Sequence, residues 1–410
     1  MSAEPSKPVA IGLLGRGNVG AAFAELLAER SAAVEAASGR RPELAGVLTR
    51  SGGSFEEILE RSELIVELMG GTEPTREHVL AALRAGRPVV TANKQLLAQH
   101  GDELFAVARE AGVQLRFEAA VAAVIPIVRT IQESFGVAEV ARVFGIVNGT
   151  TNFILSEMAA RGSSYEEALA EAQRLGYAEA DPTEDVNGAD AAAKMAILAR
   201  LAFHAPVGLD QVSYEGIEAI APDDLAYAKE LGLSLKLLGV AERRQGGISV
   251  RVFPCFLYGG HPLAPIQGSF NAVTVQGPAL GEVTISGPGA GGLQTASAVL
   301  GDVVSILAGE APVHETREEL PIVADVPSAF YLHLEVADQP GVLARIATVL
   351  GDHDVSIRSV VQRGSGEEAR LVMVSHECLE SRFAAAVEAL AQLPELRAAP
   401  RYIHVIEGAE

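Results

Sequence analysis

Val9-Ala10-Ile11-Gly12-Leu13-Leu14-Gly15-Arg16-Gly17-Asn18-Val19-Gly20 is an apolar run that ends in glycines spaced G-x-G-x-x-G, and a helical pattern through Phe23, Leu26 and Leu27 follows it. Strand, turn and helix in that order give the spacing a mechanical meaning. Glycine permits the tight turn and lets backbone N–H groups approach a pyrophosphate, while the helix N-terminus adds partial positive charge. Gly15, Arg16, Gly17, Asn18, Val19 and Gly20 therefore read as a dinucleotide-binding turn.

Strand-like runs at 44–49, 63–68, 88–91 and 113–117 alternate with helical stretches rich in Ala, Leu and Glu. That alternation predicts βαβ units on a parallel sheet, a Rossmann-type α/β domain over 1–125. The second run ends Val47-Leu48-Thr49-Arg50-Ser51, with no acid to grip a ribose 2′-hydroxyl. Arg50 could instead meet a 2′-phosphate, which prefers NADP to NAD; a solvated surface arginine is the competing reading.

From Pro126 the texture changes to longer helical segments, at 154–161, 165–175 and 190–203, with later strand runs at 249–257 and 269–276. This predicts an α+β catalytic and dimerisation domain over 126–310. The stretch 308–327 is rich in Glu, Pro and Val without a sustained period, so 311–328 reads as a linker. Runs at 331–336, 342–350, 356–361, 370–374, 383–390 and 402–406 give the order βαββαβ, a ferredoxin-like module over 329–410.

The 410 residues carry 32 Lys+Arg against 53 Asp+Glu, a net charge of −21. Such an acidic chain repels phosphate backbones and anionic lipid, which excludes nucleic acid and membrane surfaces as partners without a local basic patch. The longest uncharged apolar stretch, between Glu118 and Arg129, contains Pro126 and is about half of what a bilayer-spanning helix needs. The opening residues lack a basic region followed by an apolar core, so a cytoplasmic location is expected. Cys255 and Cys378 stand far apart in strand-like runs and read as buried thiols.

Leu175-Gly176-Tyr177-Ala178-Glu179-Ala180-Asp181-Pro182 leads to Asp185, Asn187-Gly188, Asp190 and Lys194. Asp181-Pro182 with Glu184 reads as a helix start with Pro at its first position, and Asn187-Gly188 as a break. Asp190 and Lys194 lie four apart, on one helix face. Three alanines precede Lys194 and Met195-Ala196-Ile197-Leu198-Ala199 follows it, so its helix is apolar and the ammonium buried. A buried ammonium needs a partner and a purpose.

Together with Glu67-Leu68-Met69-Gly70-Gly71-Thr72 and Thr91-Ala92-Asn93-Lys94, this block resembles homoserine dehydrogenase over about residues 8–310, and the chain from about 329 resembles an ACT domain. The resemblance implies NAD(P)H-dependent reduction of aspartate 4-semialdehyde to homoserine. It makes Lys194 the proton donor to the carbonyl oxygen, held by Asp190, with Lys94 as the second active-site lysine. Glu179, Asp185 and Asp190 would bind the substrate, whose ammonium suits carboxylates. Gly70, Thr72, Lys94, Gly176, Glu179 and Gly291 would line the cofactor, Gly291 within the cluster Ser286-Gly287-Pro288-Gly289-Ala290-Gly291-Gly292. A sodium ion would be held largely by backbone carbonyls at Glu118, Val121, Ala123 and Ile125. Family members usually carry glycine where Ala122, Ala123 and Val124 stand, so a positive φ there would strain this chain.

Asp338-Gln339-Pro340-Gly341-Val342-Leu343 resembles the ligand loop of ACT domains, implicating Asp338, Gly341 and Val342 in binding an amino-acid effector, expected to be threonine. ACT domains commonly pair across subunits, so a homodimer or homotetramer is expected. Two other readings stay open here: a catalytically silent amino-acid sensor that holds a dinucleotide, and a related dehydrogenase for another small aldehyde or β-keto acid. Intact Lys94, Glu179, Asp190 and Lys194 argue against the first.

Overall fold

The computed structural model describes residues 8–310, 318–364, 366 and 369–406. The chain begins with alternating strands and helices: β1 (Val9–Leu14), α1 (Asn18–Ser38), β2 (Pro42–Leu48), α2 (Phe55–Arg61), β3 (Leu64–Glu67), α3 (Thr75–Arg84), β4 (Val89–Thr91), α4 (Lys94–Ala111) and β5 (Leu115–Arg116). The five strands form a parallel sheet in the order β2-β1-β3-β4-β5. After β1 the chain goes first to one side and then to the other, which opens a crevice at the carboxyl end of β1, where such sheets bind ligands.

The three glycines after β1 are used in three ways. Gly15 has φ +97° and passes so close to β3 that a Cβ would lie 2.4 Å from the Leu68 carbonyl oxygen. A Cβ on Gly17 would meet nothing within 4 Å, leaving that backbone open to a ligand, and one on Gly20 would lie 2.1 Å from the Gly15 carbonyl oxygen. Turn, approach and packing are the separate demands this motif makes.

The next part of the chain comprises α5 (Ile127–Arg129), β6 (Arg142–Ile146), α6 (Gly149–Arg161), α7 (Tyr165–Leu175), α8 (Thr183–Val186), α9 (Ala189–Phe203), β7 (Ser213–Tyr214), α10 (Pro222–Glu230), β8 (Leu233–Arg244), β9 (Gly247–Tyr258), β10 (Phe270–Gly277), β11 (Gly281–Pro288) and α11 (Gly292–Leu307). The last part comprises β12 (Pro327–Glu335), α12 (Val342–Asp352), β13 (Ile357–Arg363), β14 (Arg370–Ser375), β15 (Cys378–Leu379), α13 (Glu380–Leu390) and β16 (Arg401–Ile406). One mixed sheet, ordered β11-β10-β6-β8-β9-β16-β12-β14-β13, runs through both parts.

Two features depart from the sequence expectation. The closing βαββαβ module is not set apart: β16 lies parallel to β9, with His404 opposite Cys255 and Ile406 opposite Leu257. Tyr331, Val372, Val374, Ile403 and Val405 share one buried cluster with residues of α9 and β8. Of the expected linker, 311–317 lies outside the described residues; beyond it Val323 N–H donates to the Ile248 carbonyl, and Ile322 bridges Ile248. In addition, α11 returns to the first sheet, where Ala296, Val299 and Val303 bury against the cluster of Ile11, Phe23 and Leu27.

Strands β6, β8 and β11 are absent from the periodicity reading. The sequence of β8, Leu-Ser-Leu-Lys-Leu-Leu-Gly-Val-Ala-Glu-Arg-Arg, is rich in helix formers. Its position between β6 and β9, with ladders on both edges, overrides that propensity. Cys255 and Cys378 are buried and unpaired, as expected. Among the described residues no helix is long and apolar enough to cross a membrane.

Helix α9 packs on β8 through Met195, which faces Gly239: a Cβ on Gly239 would lie 2.3 Å from Met195 Cγ. Gly239→Ala should therefore lift the helix that carries Lys194, destabilising the protein by roughly 1–3 kcal/mol through overpacking and reducing turnover. Adding Met195→Ala should recover much of both losses, which a double-mutant cycle of melting and activity will read.

Candidate active site

Lys94 is the first residue of α4. Asn93 caps that helix by accepting the Leu96 N–H at 3.0 Å, and its Nδ2 donates to the Gly71 carbonyl at 2.6 Å, tying together the loops after β3 and β4. A cation at a helix N-terminus opposes the helix dipole, so Lys94 needs a nearby anion. Its Nζ meets Asp190 Oδ1 at 2.9 Å.

Asp190 sits in the first turn of α9, where a carboxylate suits the dipole. The helix begins at a left-handed Gly188, with Asn187 Oδ1 accepting the Ala189 N–H at 2.9 Å. The preceding turn is shifted by one residue from expectation: α8 starts at Thr183, Pro182 stands at the cap position, and Asp181 accepts both the N–H and the hydroxyl of Thr183. As the apolar flanks require, α9 is almost wholly buried.

One turn on, Lys194 Nζ donates to Asp190 Oδ2 at 2.7 Å and to the Val147 carbonyl at 2.8 Å. An ammonium has three donors, so one N–H beyond these two is available to a third acceptor. Asn148, the cap of α6, completes the group. Its Oδ1 accepts the Thr151 N–H at 2.9 Å, while its Nδ2 donates to Asp185 Oδ1 at 2.7 Å and Asp190 Oδ2 at 2.8 Å. Sequence reading missed Asn148; its cap position ahead of Gly149-Thr150-Thr151 was the available signal.

Charge explains the protonation states. Burial pulls the Asp190 carboxyl upward, but Lys194 and Lys94 outweigh it and hold the group far below the usual carboxylate range. Burial works to lower Lys94, and Asp190 reverses the balance and raises it. Asp185 is raised, first by burial and then by the Asp190 charge, despite the Asn148 hydrogen bond. The constellation is thus a carboxylate clamped by two ammonium groups with a second carboxyl beside it, arranged to stabilise and protonate an oxygen that gains negative charge.

The other candidate residues lie around this centre. Gln95 Nε2 donates to Glu184 at 3.2 Å, so α4 and α8 also meet directly. Gly70 has φ +73°, Thr72 is half-buried, and Gly176 ends α7 with φ +78°. Glu179 is exposed; its carbonyl accepts Gln173 Nε2, and among the described residues its carboxylate joins no hydrogen bond of the lysine network. Arg50 is exposed in the turn closed by the Thr49–Gly52 bridge. Gly291, with φ +130°, caps α11, and the neighbouring Gly292 packs against the Asn18 carbonyl of the dinucleotide turn.

In the loop after β5, Ala122 and Ala123 both adopt positive φ, 55° and 49°. These are two of the positions where glycine was expected, so alanine carries the strain here. Glu118 accepts the N–H groups of Val128 and Arg129, donates its own N–H to Asp302, and is pushed by burial up to about 7. Val121 and Ala123 are buried, and among the described residues no hydrogen bond ends on their carbonyl oxygens. Carbonyls without an internal partner suit a hard cation, whereas those of Glu118 and Ile125 already accept the N–H groups of Val121 and Ile127, and no His, Cys, Asp and Glu cluster able to hold a metal occurs among the described residues. In the closing module, Asp338 accepts from Gln362 at 3.3 Å and the Gly366 N–H at 3.1 Å, and Gly341 caps α12 with φ +91°, next to buried Val342.

Comparison with known proteins converges on one family. The family model described as homoserine dehydrogenase matches residues 126–304, the homoserine dehydrogenase NAD binding domain matches 15–118, and the ACT domain matches 331–395. The homoserine dehydrogenase of Corynebacterium glutamicum is 42% identical over 421 residues, covering 96% of this chain and 95% of that protein. The crystal structure of a homoserine dehydrogenase from Thiobacillus denitrificans superposes with TM-score 0.93 at 36% identity, covering 98% of this chain and 99% of that one. A hyperthermophilic archaeal homoserine dehydrogenase solved in complex with NADPH superposes with TM-score 0.65 at 27% identity, covering 75% of this chain and all of that one.

Asp190→Asn should leave Lys94 and Lys194 facing each other without their counter-charge, at a cost on the order of 3 kcal/mol in stability and with most activity lost. The sign of the pH effect is fixed by the depressed carboxyl: its stabilisation is present above the ordinary value of 3.8 and is lost as pH falls below it. Acid unfolding curves of the variant should therefore be shallower in that range than those of the wild type.

Proposed function

The chain belongs to the homoserine dehydrogenase family, NAD(P)-dependent oxidoreductases acting on CH–OH groups, and from that premise we propose how its residues divide the reduction of aspartate 4-semialdehyde to homoserine. The observation that carries the reading is Asp190 bonded at once to Lys94 and Lys194. Bound NAD(P)H supplies the hydride. Lys194 donates its remaining N–H to the aldehyde oxygen, stabilises the charge that develops there, and gives up a proton as the alcohol forms. Asp190 orients Lys194; Asp185 and Glu179 receive the substrate's ammonium. Lys94 lies at the carboxyl edge of the parallel sheet, between cofactor crevice and substrate.

For the cofactor, the dinucleotide turn 15–20 takes the pyrophosphate, with Gly70, Thr72, Gly176 and Gly291 around it. Arg50, exposed and without a neighbouring acid at the end of β2, favours NADP, in keeping with the NADPH bound by the archaeal relative. Carbonyls of Glu118, Val121, Ala123 and Ile125 would hold a sodium ion and offset the strain of the two left-handed alanines. The Asp338–Gly341–Val342 turn is read as a threonine site, on a chain that works as a homodimer or homotetramer in the cytoplasm. Because its sheet continues into β9, threonine bound there would act by biasing the shared sheet.

Lys194→Ala should lower kcat by roughly 10²–10⁴, the range for a positioned acid, with NADPH affinity near normal in a binding titration; near-native turnover would remove its role. Arg50→Ala should weaken NADPH more than NADH, since only NADPH offers a phosphate to the guanidinium. Equal losses would leave Arg50 out of cofactor choice. Deleting the closing module would expose the β9 edge and part of the core, so control is better tested by Asp338→Ala. That variant should keep reductase activity and lose inhibition by millimolar threonine; full inhibition retained would move the effector site elsewhere.

A further inference from the structure

Asn271, the second residue of β10, has zero solvent exposure, and neither its Nδ2 nor its Oδ1 has a hydrogen-bond partner. Buried side-chain amides are ordinarily satisfied, and one with both ends orphaned is a cost the fold carries for a reason. Its surroundings point to that reason. A Cβ on Gly289 would lie 2.2–2.4 Å from Cγ, Oδ1 and Nδ2 of Asn271, so the glycine loop 286–291 rests directly on the amide plane. On another side, a Cβ on Gly149 would lie 3.5 Å from Oδ1. Gly149 follows Asn148, whose side chain holds Asp190 and Asp185.

The loop above Asn271 also reaches the other domain. It runs from β11 in the mixed sheet into α11, whose buried face packs in the core of the dinucleotide domain, and a Cβ on Gly292 would lie 3.4 Å from the Asn18 carbonyl oxygen. Glycines at 289, 291 and 292 keep bulky side chains out of this short span, and the Gly291 carbonyl accepts the Thr295 N–H. The unpaired amide therefore lies against a loop that leads from the substrate side to the helix packed on the dinucleotide domain.

We propose that Asn271 is a positioning residue for the nicotinamide half of the cofactor: its amide stays unpaired in the arrangement described above and pairs with the backbone of the Gly289–Gly291 span when that loop settles over the bound dinucleotide. The proposal rests on the reading of this loop as cofactor-lining. It assigns Asn271 no contact with the reacting atoms and no proton.

Replacing an orphaned amide by an apolar group of the same shape removes a penalty from the free protein while deleting the latch. Asn271→Leu should raise the melting temperature of the ligand-free protein and yet weaken NADPH by roughly tenfold, the scale of one lost hydrogen bond. Binding is read by fluorescence titration, with adenosine 2′,5′-bisphosphate as a probe that fills only the adenosine end and should bind as in wild type. Asn271→Ala, which avoids any crowding against Gly289, should show the same split between the two ligands. The proposal is overturned if both variants bind NADPH like wild type, or if NADPH and the adenosine probe weaken equally. Failure of the wild type to bind NADPH would instead sink the cofactor reading beneath it.

Discussion

The carboxylate of Asp190 is the anion on which the rest of the site turns. Two ammonium groups and an amide converge on it from three elements, α4, α9 and the cap of α6. Without it the two lysines would repel, and without them a buried carboxylate would be protonated or expelled. Because Lys94 belongs to the dinucleotide domain and Asp190 to the helix that carries Lys194, this ion pair is also a tie between domains. The placement of Lys194 and the seating of one domain on the other are thus held by the same carboxylate.

Strain and unmet hydrogen bonds are spread through the molecule: His204 and Asp354 also adopt positive φ, and buried polar atoms without a partner include Ser249 Oγ, Tyr331 Oη and His333 Nε2. Left-handed Ala122 and Ala123 stand in the same short loop as Glu118, whose carboxyl burial raises to about 7. A packed interior tolerates few such defects, and the remaining core compensates for those it carries. The compensation is visible in α9, whose alanines, leucines and Met195 bury almost completely and hold Lys194 on a rigid support.

The dinucleotide turn and its sheet were legible in the sequence because they depend on local rules: glycine spacing, strand length and helix period. Asp190 and Lys194 were legible for the same reason, being one turn apart on an apolar helix. Asn148 was not, since its two carboxylate partners lie 37 and 42 residues away and nothing local marks an asparagine cap as a ligand of both. The strand β8 was hidden by helix-forming composition, and the merging of the closing module with the substrate domain was hidden because strand pairing between distant segments leaves no periodic trace. Glu179 shows the opposite limit: a motif names a residue whose side chain the fold leaves in solvent.

The pairing of β16 with β9 has a consequence for biogenesis. The edge of β9 is made early in synthesis, yet β16, which pairs with its end from Cys255 to Leu257, emerges only after the rest of the βαββαβ module, at a ribosomal pace of about 5–20 residues per second. For that interval a nascent chain presents an unsatisfied apolar edge, the kind of surface that recruits chaperones or pairs wrongly with a neighbour. Sheet completion is therefore a late, long-range event, and translation speed through the C-terminal third becomes a determinant of how much active enzyme a cell obtains.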